Sequence, residues 1–219
     1  RRNLSLCSCN EEIRKASIEY CKSLLVVANK TNADYLCLAS GKVEDNALNN
    51  LDMFIESLSE IFIYTKERGY HTRICIEPLD QYAHKKNTIG SLDMTIRMIN
   101  KLESLGYGTN DFVLAWDSAH VALNEDDFEK TIKDLSKYIY KIHFATAILD
   151  KNHLQYGDHH LDFDFGFMDL QCAKKIYAYA KKYINHKVDF ACEIKENVKD
   201  NAWKLEKRTF EFLNKVIED

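Results

Sequence analysis

Four apolar stretches of the chain each end in a side chain that could bind a metal ion. They cover residues 73–77, 112–117, 138–143 and 188–193, and they end in Glu77, Asp117, His143 and Glu193. Apolar runs of this length are typical of strands buried within a parallel sheet. A carboxylate or an imidazole at the end of such a strand is costly unless it has a partner. The four residues are therefore candidate ligands of one common ion.

The chemistry of this set follows from its charges. Three carboxylates gathered in one place would repel one another, which raises their pKa values, and a divalent cation removes that conflict. Oxygen ligands with a single imidazole favour Mn²⁺ or Mg²⁺ first, and Co²⁺ or Zn²⁺ next. Such an ion polarises a carbonyl and its neighbouring hydroxyl. Glu77 and Glu193 could then transfer the proton next to that carbonyl through an enediolate, as an acid/base pair.

Further polar residues follow these stretches and are candidates for substrate contact. His120 lies three residues after Asp117, and His84 lies in the polar loop after Glu77. Asp158 and His160 lie in a long segment between residues 147 and 166, and loops of that length are usually functional or disordered. For each residue, a hydrogen-bonded loop side chain is the alternative interpretation.

Strands and helices alternate along the whole chain. Besides the four stretches, a strand is predicted over 34–39, and helices are predicted over about 11–30, 47–68, 91–105, 124–136, 168–184 and 201–217. Such alternation indicates a parallel sheet of βα units. Polar residues at several strand ends favour a TIM (β/α)8-type barrel, whose active sites lie at the C-terminal ends of the strands. The sequence has no GxGxxG or GxxxxGK[ST] motif, which argues against a nucleotide-binding doubly wound sheet.

Two helices carry apolar faces that we expect to be buried. The first face comprises Ile13, Ala16, Tyr20, Leu24 and Val27, and the last comprises Trp203, Phe210, Leu213 and Ile217. No linker or composition break divides the chain, so one domain over residues 1–219 is predicted.

The number of units is smaller than a complete barrel needs. We count about six βα units, including a remnant strand over residues 3–7. A barrel of this class takes about 250 residues and eight units, so the first two units are expected to be missing from this chain. The core surface and strand edges left exposed would favour a homo-oligomer.

Composition limits the classes of function. The chain has 219 residues, 46% of them apolar, and a formal net charge of −4 with scattered basic residues. These features indicate neither a nucleic-acid nor a membrane partner, and no stretch reaches the roughly 20 apolar residues of a membrane span. The seven cysteines include three in predicted buried strands, Cys37, Cys75 and Cys192. We interpret them as reduced structural residues of a cytoplasmic protein.

In their order along the chain, Ile-Glu77-Pro, Asp117-x-x-His120, Ile-His143 and Cys-Glu193-Ile resemble the motifs of the sugar phosphate isomerase/epimerase superfamily, which consists of xylose isomerase-like TIM barrels. The resemblance covers nearly the whole chain. It implies a metal-dependent isomerase or epimerase acting on a small sugar or sugar phosphate. It also implies metal binding by Glu77, Asp117, His143 and Glu193, proton transfer by the two glutamates, and substrate contact by His120.

Departures from the family pattern leave other functions open. Endonuclease IV, a zinc phosphodiester hydrolase of the same superfamily, has a histidine after its fourth strand where this chain has Ala39-Ser40-Gly41, but Asp158-His159-His160 resembles its Asp-x-His pair. Ketose 3-epimerases place an arginine in the loop that here spans 147–166, which has none, and many epimerases have an acidic residue at the position of Thr146. A hydrolase with a second metal at Asp158 and His160, and a non-catalytic degenerate barrel, are the alternatives.

Overall fold

In a computed structural model, residues 4–195 and 201–218 are described. Within these residues the strands are β1 (Tyr35–Leu38), β2 (Arg73–Ile76), β3 (Phe112–Asp117), β4 (Ile139–Phe144) and β5 (Asp189–Cys192). The helices are α1 (Glu11–Lys30), α2 (Ala47–Glu67), α3 (Leu92–Ser104), α4 (Ser118–Leu123), α5 (Phe128–Leu135), α6 (Leu170–Tyr183) and α7 (Ala202–Ile217), with a 3₁₀ turn at Phe163–Phe165. Each predicted strand from residue 34 onward is present, with bounds that differ by one or two residues.

The strands form one five-stranded sheet in the order β1-β2-β3-β4-β5. The strands are parallel: Cys37 lies opposite Cys75, Cys75 opposite Val113, and His143 opposite Ala191. A doubly wound sheet reverses its strand order at a switch point, whereas a barrel adds each new strand beside the previous one. The sequential order is that of a TIM barrel, so the predicted fold class is confirmed.

Burial differs between the central and the edge strands. All six residues of β3 are buried, as the apolar run predicts for a strand covered on both faces. The edge strands β1 and β5 are only partly covered. The prediction that Cys37 and Cys192 are buried is therefore wrong for Cys37, which is exposed, and only partly right for Cys192; Cys75 is buried.

Side-chain caps explain where the helices begin. The Asn10 carboxamide oxygen accepts hydrogen bonds from the backbone N–H groups of Glu12 and Ile13 at the start of α1, as the sequence predicts. Asn46, Ser91, Asp169 and Asn201 cap α2, α3, α6 and α7 in the same way.

The apolar faces predicted for α1 and α7 are wrong in register. The structure buries Ser17, Ile18, Cys21, Leu25 and Ala28 of α1, and Leu205 and Val216 of α7. Tyr20, Val27, Trp203, Phe210 and Ile217 are exposed. Both helices carry two apolar stripes. On α1, the side chains that face the protein interior include the small residues Ser17 and Ala28. The predicted face consists mostly of larger side chains.

Two further predictions need correction. The described part of the predicted first strand, residues 4–7, is a turn-containing segment rather than a strand. The helix predicted over 124–136 is the shorter α5, which starts at Phe128, and the short helix α4 before it was not predicted; Glu125, with a left-handed φ of 60°, lies between the two helices.

The chain groups into two compact units, Arg1–Ala115 and Trp116–Asp219. The first contains β1 and β2 with α1–α3, and its largest fully buried side chains include Phe54, Phe62 and Ile76. The second contains α4–α7 with β4 and β5, and its buried side chains include Phe144, Ile142 and Ile176. The prediction of one domain over the whole chain stays a prediction. No helix of the described residues is long and apolar enough to cross a bilayer.

Candidate metal centre

Asp117 is held by the helix that it starts. It is the last residue of β3 and the N-cap of α4, and its Oδ1 accepts hydrogen bonds from the backbone N–H groups of Ala119 at 2.7 Å and His120 at 3.1 Å. The partial positive charge of a helix N-terminus stabilises a carboxylate at this position. The second oxygen, Oδ2, lies 3.9 Å from Nδ1 of His143. One oxygen thus fixes the side chain while the other faces the candidate ligands.

His143 and Glu193 come together because their strands are neighbours in register. His143 on β4 lies opposite Ala191 on β5, and Glu193 follows two residues later, so side-chain alternation places it on the same face. The backbone N–H of Glu193 continues the ladder by donating to the carbonyl of Phe144 at 3.0 Å. His143 Nδ1 lies 3.0 Å from Oε2 of Glu193.

The environment of Glu193 favours its charged form. The hydrogen bond with His143 lowers the pKa of the Glu193 carboxyl below its ordinary value, burial opposes this, and the charges of His143 and His160 lower it further. Glu193 is therefore a carboxylate at neutral pH. This charge state is the one required of a metal ligand and of a group that accepts a proton.

Glu77 follows β2 directly. Its backbone N–H donates to the carbonyl of Leu38 at 2.9 Å, which extends the pairing of β2 with β1 by one residue. Within the second unit, one ligand atom from each of Asp117, His143 and Glu193 lies within 4.8 Å of the others, and this group could hold a metal ion. Glu77 stays the fourth predicted ligand. The donor set of two carboxylates and one imidazole fits a hard or borderline divalent cation, because carboxylates so close together require positive charge.

A second group of polar side chains lies beside Glu193, in the same half of the chain. Asp158 is buried, and its Oδ2 lies 3.8 Å from Nε2 of His120, which is also buried. His160 Nδ1 lies 3.5 Å from Oδ1 of Asp158 and 3.4 Å from Oε1 of Glu193. Two imidazoles therefore lie near one buried carboxylate. His160 is the most accessible of the three, with its side chain 32% exposed.

The backbone of this segment is held in an uncommon conformation. His160 has φ 54°, in the left-handed region that non-glycine residues seldom adopt. Its carbonyl accepts a hydrogen bond from the backbone N–H of Lys195 at 2.7 Å, and the Asp158 carboxylate accepts one from the backbone N–H of His160. Conformations of this kind persist when the surroundings enforce them, and they are frequent at functional sites.

His84 has a different setting. It is an exposed residue of the loop after β2, and its backbone N–H donates to the buried carboxylate of Asp80. Its role in substrate contact stays a prediction, as do the roles of His120, Asp158 and His160.

Asp80 and Ser118 were not predicted from the sequence. Asp80 lies in the loop after β2 and accepts hydrogen bonds from the backbone N–H groups of His84 and Lys85, so it organises that loop. Ser118 was not recognised because helix α4, in which it is the first residue, was not predicted. An aspartate before Ser-Ala-His is a typical helix start, and this signal could have identified both the cap and the residue after it.

Comparison with known proteins identifies the family. Residues 2–203 match a family model described as xylose isomerase-like TIM barrel. The chain belongs to the xylose isomerase-like TIM barrel family. No match is found among curated proteins.

Solved structures share the fold of this xylose isomerase-like barrel at low sequence identity. The 3-keto-D-glucoside 4-epimerase of E. coli matches with a TM-score of 0.72 and 14% identity, over 98% of this chain and 76% of the epimerase. An L-ribulose 3-epimerase matches with a TM-score of 0.74 and 13% identity, over 99% and 72%. The IOLI protein, whose structure contains a bound zinc atom, matches with a TM-score of 0.71 and 12% identity, over 98% and 74%.

Proposed function

We propose that this protein is a divalent-metal-dependent isomerase or epimerase that acts on a small sugar or sugar phosphate. The observation that carries the proposal is the group of ligand atoms from Asp117, His143 and Glu193, within 4.8 Å of one another, to which Glu77 would add the fourth. Active sites of TIM barrels lie at the C-terminal ends of the strands, and all four residues lie at such ends or directly after them. Sugar epimerases among the structural neighbours support the same class of reaction.

The four residues would hold one ion, Mn²⁺ or Mg²⁺ first and Co²⁺ or Zn²⁺ next, according to their oxygen-rich donor set. When bound, the ion would polarise the substrate carbonyl and the hydroxyl beside it. The zinc in the IOLI structure supports metal binding by this fold.

Glu77 and Glu193 would transfer the proton. Epimerisation or isomerisation next to a carbonyl requires a base to remove a proton and an acid to return one, with an enediolate of the substrate in between. Glu193 has a lowered pKa because of its hydrogen bond with His143, so it starts the cycle as a carboxylate able to accept a proton. Glu77 would supply the complementary proton.

The group beside Glu193 would orient the substrate. His160 is the most accessible of its side chains and would contact a substrate hydroxyl, whereas Asp158 and His120 are buried and would hold it in place. We further propose a cytoplasmic protein, without a nucleic-acid or membrane partner, that forms a homo-oligomer.

Calorimetric titration of the metal-free protein with Mn²⁺, Mg²⁺, Co²⁺ and Zn²⁺ tests the first part of this proposal. One tight site per chain is expected. A panel of ketoses and ketose phosphates in deuterated water tests the second part, because proton transfer incorporates deuterium at the carbon next to the carbonyl.

The variants Glu77→Gln and Glu193→Gln should abolish this exchange, and Glu129→Gln is a matched control. Glu129 is on α5, where it interacts with Lys182 and Tyr183 instead of the ligand group. A chain that binds no metal, or exchange that survives both variants, would contradict the proposal. The former result would favour a degenerate barrel.

A second candidate is a zinc phosphodiester hydrolase of the endonuclease IV type. The observation that favours it is that His120 and His160 both have a ring nitrogen within 4 Å of the Asp158 carboxylate, so a second ion could bind there. Binding of two or more zinc ions per chain, together with cleavage of DNA at an abasic site, would support this candidate over the epimerase.

A further inference from the structure

The hydroxyl group of Ser118 links the ends of two site-bearing strands. Ser118 is fully buried and follows Asp117 directly. Its Oγ lies 2.7 Å from the carbonyl oxygen of Ala145 and 3.2 Å from that of His143, and it accepts a hydrogen bond from the backbone N–H of Ala145 at 2.9 Å. One side-chain atom therefore serves both as donor and as acceptor for the chain just past β4.

The geometry of β3 explains why this link is needed. At Asp117 the chain leaves the strand and enters α4, so beyond that point β3 offers no strand backbone for pairing. The chain after β4 continues to Ala145, which is buried. Buried backbone N–H and C=O groups require partners, and the hydroxyl provides both of them in place of a peptide group.

Two candidate ligands are next to this link. Asp117 precedes Ser118 by one residue, and His143 precedes Ala145 by two, on the same side of the strand. Oδ2 of Asp117 and Nδ1 of His143 lie 3.9 Å apart. A displacement of the end of β4 relative to the start of α4 would change this separation directly.

We propose that Ser118 is a positioning residue of the metal centre, whose hydroxyl fixes the distance between the Asp117 carboxylate and the His143 imidazole. The expected effect on metal affinity rests on the proposed function. Side chains that orient ligands without touching the ion commonly change metal affinity about 10- to 100-fold when they are replaced.

The test compares Ser118→Ala with Ser118→Thr, which retains the hydroxyl, and with Ser57→Ala as a matched control. Ser57 is equally buried, and its hydroxyl also donates to a backbone carbonyl, that of Leu6 at 2.7 Å, but it lies on α2, which carries none of the four ligands. Two quantities are measured: the Kd for Mn²⁺ and Zn²⁺ by calorimetry, and the hydrogen-exchange rate of the Ala145 amide in metal-free protein.

Ser118→Ala should raise the metal Kd about 10- to 100-fold and accelerate exchange at Ala145 by about tenfold, while Ser118→Thr and Ser57→Ala leave both quantities near those of the parent protein. Equal metal affinity in Ser118→Ala and Ser57→Ala would overturn the inference, and so would unchanged exchange at Ala145. If the parent protein binds no metal, the proposed function and the effect on affinity fail together. The exchange rate then still decides whether the hydroxyl holds the strand end.

Discussion

The two compact units of this chain use buried polar side chains in different ways. In the described part of the first unit, the buried polar residues are hydroxyls and carboxamides, with Asp80 as the one carboxylate or imidazole. In the described part of the second unit, Asp117, His120 and Asp158 are all buried. Asn50 illustrates the first pattern, because its carboxamide donates to the carbonyl of Cys7 and accepts from the backbone N–H of Glu44.

The difference separates polar residues that hold the fold from polar residues that offer chemistry. A neutral amide or hydroxyl is satisfied by backbone partners at modest cost, whereas an ionisable group is costly to bury without a charge partner. Evolution of a stable fold alone therefore favours the first pattern. The second pattern, which includes Asp117 at the end of β3, is the one expected of the proposed metal centre. Asp80 and Asp117 provide the sharpest comparison, since both are buried carboxylates that accept hydrogen bonds from backbone N–H groups.

The largest effect is expected at Asp117. Asp117→Asn keeps a good helix cap but removes the charge, so metal affinity should fall at least about 100-fold while the free energy of unfolding of the metal-free protein changes by less than about 1 kcal/mol. Asp117→Ala should lose metal affinity and a further ~1 kcal/mol of stability, because the cap is also lost. Calorimetric titration and urea unfolding measure the two quantities. If Asp117→Asn still binds metal, the buried carboxylate of the second unit would have a structural role, as the buried polar residues of the first unit do.

A smaller effect, on stability alone, is expected at Asp80. Asp80→Ala leaves the backbone N–H groups of His84 and Lys85 without their carboxylate acceptor, which should cost about 2–3 kcal/mol of unfolding free energy. The Kd for metal should stay within about twofold of that of the parent protein, because the carboxylate is not one of the four ligands. Urea unfolding in the absence of metal and calorimetry check both values. A large loss of metal affinity would show that the Asp80 carboxylate, like that of Asp117, contributes to metal binding.

At His160 the effects of the backbone conformation and of the imidazole can be separated. Glycine adopts φ 54° without the steric cost of a side chain, so the metal-free His160→Gly variant should be about 0.5–1 kcal/mol more stable than His160→Ala. The same variant removes the imidazole near Glu193 and should reduce turnover of an accepted ketose. Thermal unfolding and the deuterium-exchange assay measure the two effects. His160→Ala serves as the control, because it removes the imidazole without relieving the backbone. Unchanged turnover in both variants would show that the role of His160 is structural rather than functional.

The smallest effect is expected for the cysteine thiols. Buried thiols of the two units should have similar reactivity. Burial raises the pKa of Cys21, in the first unit, and of Cys192, in the second, to about 11. Their reactive thiolate fraction at pH 7.5 is therefore small, and it increases as the pH rises towards the pKa. Mass spectrometry after brief alkylation should find the exposed Cys9 modified well before either of them. Rapid labelling of Cys192 at pH 7.5 would show that β5 opens more readily than its sheet pairing indicates.

Much of the fold could be predicted because its signals are local. Alternating strands and helices, the Asn10 cap and the buried run of β3 depend on residues close together in the sequence. The faces of α1 and α7 could not be predicted in the same way, because both helices carry two apolar stripes. Only the neighbouring elements decide which stripe is covered, and in α7 the structure buries Leu205 rather than Trp203.

The candidate centre was predictable in its residue types but not in its supports. Carboxylates and an imidazole after apolar runs are visible in the sequence, and parallel strands bring their C-terminal ends to one edge. The support of Asp117 depends on the short helix α4, whose six residues are too few for a periodic signal. The link through Ser118 depends on atoms 27 residues apart, and no local pattern reveals such a contact.

The segment between β4 and α6 is anchored where it returns to the sheet. A Cβ atom at Gly166 would lie 2.0 Å from Oγ1 of Thr146, and that hydroxyl accepts a hydrogen bond from the backbone N–H of Met168 at 3.1 Å. Leu154, by contrast, is fully exposed. Because the base is packed and the tip is exposed, changes of length or sequence near Leu154 should be tolerated, provided that Gly166 and Thr146 at the base are retained.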